Sequence, residues 1–182
     1  QASSPMPQDV FVALNTAISE ALSNVTKWAY LDPDGFDCPH VESWWICATA
    51  DRENRTLTVA LYDQGTTIPV THPRKPANAW LRDAVRRLRR PEEFAFMYDG
   101  DFIRQAMKPG RSGTDQPWRG KGLPQMVDLI KTCSGGRLLI LSRGGLCRYE
   151  HGGRIERSSF RHSIGGTLIE WTLALPKGSE NG

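Results

Sequence analysis

Two runs of strict alternation constrain this chain more than any other feature. Leu57, Val59 and Leu61 share one face of a strand, and Asp63 keeps their parity at its end. Thr167 opens the second run, with Ile169, Trp171 and Leu173 on its face and Gly165-Gly166 just before it. Each run therefore sets a polar residue in line with an apolar row, where an acid must find a donor or suffer desolvation. If the two strands lie antiparallel, Asp63 and Thr167 reach the same edge of the core. A carboxylate acceptor beside a hydroxyl suits a base with an exocyclic amino group, such as adenine. Read alone, the segment Asp63-Gln64-Gly65-Thr66-Thr67-Ile68-Pro69 also suits a plain turn.

The remaining pattern supplies the other layer. Residues 9–30 are helical in period, with Phe11, Leu14, Ile18, Leu22, Val25 and Ala29 forming one apolar stripe. Strands over 43–50 and 56–63 flank the polar turn Asp51-Arg52-Glu53-Asn54 and read as an antiparallel hairpin. Residues 66–122 are irregular, with helices expected over 78–90 and 99–107 and a Gly-, Arg- and Pro-rich loop over 108–122. A helix over 123–133 stops at Gly135-Gly136. Strands follow over 137–142, 146–150, 154–158 and 167–175. This order predicts an α+β fold, a two-layer α/β sandwich in which helices cover one face of a mostly antiparallel mixed sheet.

With 182 residues the chain suits one domain. That domain is expected over 9–175, with a disordered lead-in at 1–8, a lid or insertion at 70–122 and a tail at 176–182. No apolar run approaches the roughly 20 residues that span a bilayer, and residues 1–8 lack the features of a signal peptide. The four cysteines form no CxxC pair and are too sparse for a disulfide scaffold. A cytoplasmic, reduced protein is expected. The net charge of +3 permits an anionic ligand but does not argue for nucleic acid.

Three further groups could carry chemistry. Glu20 and Asn24 stand four residues apart, on a helix face expected roughly opposite the apolar stripe, and Lys27 points the same way. A carboxylate, an amide oxygen and an ammonium group could serve as base, Mg²⁺ ligand and phosphate contact. The same trio also fits an ordinary solvated face. Gly65, directly after Asp63-Gln64, permits close backbone approach. Arg119-Gly120-Lys121-Gly122-Leu123 runs straight into the 123–133 helix, whose free N–H groups favour phosphate. It is not a P-loop, because no GxxxxGK[ST] is present, and a simple helix start reads equally well.

In this order the four segments resemble the GHKL superfamily of gyrases, heat-shock chaperones, histidine kinases and mismatch-repair ATPases. Glu20-Ala21-Leu22-Ser23-Asn24 looks like its N-box, ExxxN, and 63–69 looks like its DxGxGIP box. Gly120-Lys121-Gly122-Leu123 resembles the GxGL that closes the ATP lid, and Gly166-Thr167 resembles the final GT box. The likeness spans residues 9–175 and is nearest to small bacterial ATPases of the anti-sigma-factor serine kinase type. It implies a Bergerat ATP-binding fold and an Mg-ATP-dependent ATPase or protein kinase. Asn24 would ligate Mg²⁺ and Glu20 would polarise the attacking water or hydroxyl. Asp63 would accept from the adenine amino group, with Thr167 supporting it through water. Gly65 would admit the base, Gly120, Lys121, Gly122 and Leu123 would cover the phosphates, and Lys27 would contact them. A protein partner is implied, and a homodimer is allowed. Thr67 departs from the family by replacing the second glycine of the Asp63 box.

The alternative is a non-catalytic module in which ATP sets a lid conformation that a partner reads. His40, His72, His151 and His162 fall in stretches read as loop or β, and no segment resembles a phospho-accepting helical hairpin, so a complete histidine kinase is not expected. Arg82, Arg86, Arg87, Arg89 and Arg90 read as a solvated basic face. Cys38-Pro39-His40 lacks two further ligands at zinc spacing. Trp44, Trp45, Trp118 and Trp171 read as core or interface, and Ser112 and Ser142 have no GxSxG setting.

Overall fold

The computed structural model describes residues 6–30, 41–74, 96–108 and 122–175. Six strands form one sheet: β1 (Trp44–Asp51), β2 (Thr56–Asp63), β3 (Gly136–Ser142), β4 (Gly145–Glu150), β5 (Ile155–Ser159) and β6 (Thr167–Ala174). Their order is β1-β2-β6-β3-β4-β5, and every neighbouring pair is antiparallel. Among the described residues four α-helices accompany them: α1 (Gln8–Asn24), α2 (Ile68–Arg74), α3 (Asp99–Ala106) and α4 (Gly122–Thr132). The fold is α+β, consistent with a two-layer α/β sandwich. The β1–β2 hairpin forms where the polar turn predicts it. Asp51 caps that turn by accepting from the Asn54 backbone N–H at 3.0 Å and its side-chain amide at 2.7 Å. Among the described residues no helix is long and apolar enough to cross a membrane.

The alternating rows of β2 and β6 do form the floor of the core. Val59, Leu61, Ile169, Trp171 and Leu173 are buried beneath Leu14, Ala17 and Ala21 of α1 and Met126, Leu129 and Ile130 of α4. Leu138 and Ile140 of β3 extend the same surface. Burial of a large aliphatic side chain contributes about 1.5–3 kcal/mol, so this one-faced row is what fixes the strand register.

Three expectations need correction. The buried stripe of α1 runs through Val10, Leu14, Ala17, Ala21 and Val25, while Phe11 is 56% exposed and Ile18 and Leu22 are only partly buried. Glu20 and Asn24 accordingly border the buried stripe, half-buried, rather than standing opposite it. Second, residues 68–74 are helical. Pro69 does not prevent this, because the N–H it lacks would have no partner in a first turn. His72 lies in that helix, not in a loop or strand. Third, Trp44 and Trp45 are not core: every residue of β1 is exposed along its length, although Trp45 stacks on Tyr62 across the strand pair. Trp171 is fully buried, as read. The expected 78–90 helix, Trp118, Ser112 and the Cys38–His40 pair lie outside the described residues.

α1 does not end abruptly at Asn24. Val25–Ala29 continues as a π-helical turn that keeps Val25 and Ala29 in the core. Such wider turns occur often at functional sites. This one delivers the Ala29 carbonyl to the loop after β2, where it accepts from the Thr66 N–H at 2.6 Å.

Candidate functional site

Asp63, Thr167 and Ser142 stand side by side across β2, β6 and β3. Thr167 is in register with Asp63 on one flank and with Ser142 on the other. All three lie on the core-facing parity of their strands, at the end where the apolar rows stop, and all three are buried. The shared edge anticipated for Asp63 and Thr167 is present. Ser142 is the addition: its Oγ lies 2.8 Å from the Thr167 hydroxyl and accepts from the Ile68 N–H at 3.0 Å. Its parity with Leu138 and Ile140 along β3 is the sequence signal that marks it.

The Asp63 carboxylate is only 5% exposed. It accepts from the Gly65 N–H at 2.9 Å, and no other donor to it is present among the described residues. Burial pushes its pKa up to about 6 from 3.8, and the Gly65 N–H only partly opposes that rise. Tyr30 feels the same carboxylate. Its phenol is raised chiefly by burial and next by the Asp63 charge, and it donates to the Ser43 carbonyl at 2.5 Å. A buried acid with so little compensation is costly for the fold by itself, which is the pattern of a group kept for a ligand.

Glycine is required around Asp63 by close approach. A Cβ on Gly65 would collide with the Cβ of Ala29 and stand 2.5 Å from its carbonyl oxygen. A Cβ on Gly166 would overlap the Asp63 carbonyl oxygen. Both obstacles include backbone, which cannot rotate away. Gly166→Ala is therefore expected to lower unfolding stability by about 3 kcal/mol, at the upper end of overpacking costs. Urea unfolding checks this, and a loss under about 1 kcal/mol would show that β2 and β6 can separate there. Thr67 needs no left-handed backbone: Arg55 and Arg143 are the non-glycine residues with positive φ among those described. Its carbonyl starts α2 by accepting from Val70 and Thr71. Its hydroxyl is buried and has no hydrogen-bond partner among the described residues.

The second half of the site is the meeting of α1 with the start of α4. A Cβ on Gly122 would stand 3.2 Å from Glu20 Oε2, 3.2 Å from Asn24 Nδ2 and 3.5 Å from Asn24 Oδ1. The carboxylate and amide thus face the first turn of α4, where unpaired N–H groups and the positive end of the helix dipole lie. Leu123 is partly buried and packs against the core. Lys27 is exposed on the π-helical turn. Gly120 and Lys121 lie outside the described residues.

The two halves are joined by the chain itself. From Asn24 the π-helical turn runs to Ala29, whose carbonyl holds Thr66 of the Asp63 loop. Hard oxygen donors at Asn24 and Glu20 fit Mg²⁺, which takes few protein ligands when phosphate oxygens complete its shell. Among the described residues no group of three or more His, Cys, Asp or Glu side chains could hold a metal alone. Compared with known families and with curated proteins, the chain matches no family model and no individual protein.

Proposed function

We propose that this chain is an Mg-ATP-binding domain of the GHKL type that hydrolyses ATP or passes its γ-phosphoryl group to a protein, acting in the cytoplasm. The observation that carries the reading is the convergence on one helix: Gly122 abuts Glu20 and Asn24, while Ala29 five residues on grips the Asp63 loop. Asp63 accepts from the adenine amino group, and Thr167 assists. Asn24 offers its amide oxygen to Mg²⁺, which when bound neutralises charge on the phosphate oxygens. Glu20 orients or deprotonates the nucleophile. The first turn of α4 receives the phosphate tail.

Calorimetric titration with ATP and GTP, with and without Mg²⁺, tests this directly. ATP with Mg²⁺ is expected to bind, ATP without Mg²⁺ to bind more weakly, and GTP to bind weakest. Binding of neither nucleotide would overturn the proposal.

A further inference from the structure

Ser142 is fully buried, and its two hydrogen bonds leave a definite question of direction. Its oxygen already accepts from the Ile68 N–H. A serine hydroxyl has one hydrogen to give. If Thr167 donated to Ser142, the Ser142 hydrogen would need another acceptor, and among the described residues none lies within reach. A buried donor left unpaired is costly. Either direction leaves one hydroxyl hydrogen over, but Ser142 is closed off completely (0% exposed) while Thr167 keeps 5% exposure, so the arrangement with Ser142 donating puts the spare hydrogen on Thr167, at the strand position next to Asp63.

We infer that Ile68 N–H, Ser142 and Thr167 form a one-directional hydrogen-bond relay whose free end is a donor held beside the Asp63 acceptor, and that Ser142 thereby sets which purine edge the site takes. This rests on the nucleotide reading above. A fixed donor next to a fixed acceptor is complementary to an edge that carries an amino group beside a ring-nitrogen acceptor. Adenine has that edge, whereas guanine presents a carbonyl where adenine has its amino group. Against guanine the Asp63 oxygen meets another acceptor. A freely rotating Thr167 hydroxyl could turn to suit either partner. Ser142 removes that freedom, so it is a positioning residue, acting through Thr167 and not touching the base.

A double-mutant cycle read by calorimetry separates this role from a structural one. Ser142→Ala is expected to weaken ATP binding by on the order of five-fold, the scale of one hydrogen bond, and to shrink the preference for ATP over GTP. Thr167→Val is expected to do the same. The double variant should bind no more weakly than Thr167→Val alone, because Ser142 has then lost the group through which it acts. Losses that multiply, with the ATP/GTP ratio unchanged, would overturn the relay while leaving the nucleotide site intact. A wild-type protein that binds no nucleotide would overturn the site itself. Ser142→Cys keeps the side-chain shape at slightly larger volume with a weaker donor, and is expected to fall between wild type and Ser142→Ala. It carries the test if the alanine variant does not fold.

Discussion

Asp63→Asn is expected to make the protein more stable and at the same time to weaken nucleotide binding sharply. The wild-type carboxylate is buried with the Gly65 N–H as its donor among the described residues, and its pKa stands at about 6 against 3.8. Below pH 3.8 the acid is protonated in both the folded and unfolded chain and costs nothing. Between 3.8 and 6 the unfolded chain loses its proton while the fold retains it, so stability falls as pH rises. Above 6 the penalty is constant, about 3 kcal/mol at neutral pH. An amide of the same shape still accepts from Gly65 and escapes that penalty. The expected gain at pH 7 is about 2–3 kcal/mol, or roughly 5–10 °C in Tm for a domain of this size. Scanning calorimetry across pH 3.5–7.5 reads it: the difference between variant and wild type should close towards pH 4. A variant less stable than wild type at pH 7 would mean that the carboxylate is held by stronger donors than Gly65 alone.

The loss of binding follows from the same group. A carboxylate that accepts from an amino group contributes on the scale of a charged hydrogen bond, and the Asn amide can turn its own N–H₂ towards the base. ATP affinity is expected to drop on the order of 100-fold. Wild-type affinity should also weaken as pH falls below about 6, where the acceptor becomes protonated. Asp63→Asn should show no such dependence. A flat wild-type profile would take Asp63 out of the binding step.

These properties differ in how far the amino-acid order discloses them. The Asp63–Thr167 edge was legible because a strand has a period of two, and parity propagates along it without error. The α1 stripe was misjudged for a physical reason. Phe11, Ile18 and Leu22 are the larger hydrophobes, yet the most deeply buried positions of α1 are Ala17 and Ala21, on a helix that packs against α4. Residues 68–74 carry Pro69 and Pro73, which signal a break in isolation, yet a helix accepts proline in its first turn, where Pro69 stands. In β1 apolar residues mark pairing at a sheet edge, not burial. Nothing in the spacing of Gly122 from Glu20 could disclose their contact. That contact exists only because α1 and α4 lie together on the sheet.

Glu20→Gln is expected to retain ATP binding within about three-fold and to lose turnover by 100-fold or more, the scale of a general base. Glu20 and Asn24 lie one turn apart on α1 and meet the same backbone position at the start of α4, so they share a site without sharing a task. On the proposed reading binding draws on Asp63, Asn24 and the α4 terminus, and an amide of equal size at position 20 leaves all three in place. Turnover requires a carboxylate that can orient or accept a proton from the attacking group, and an amide of equal size cannot accept that proton. A purely structural Glu20 would behave otherwise: its carboxylate would stabilise the positive end of α4, and its loss would cost about 0.3–1 kcal/mol of stability with turnover preserved. Single-turnover hydrolysis beside calorimetric binding and a melting curve separates the outcomes. Unchanged turnover with a lowered melting point would reassign Glu20 to the cap of α4, and equal loss of binding and turnover would place it among the Mg²⁺ ligands with Asn24.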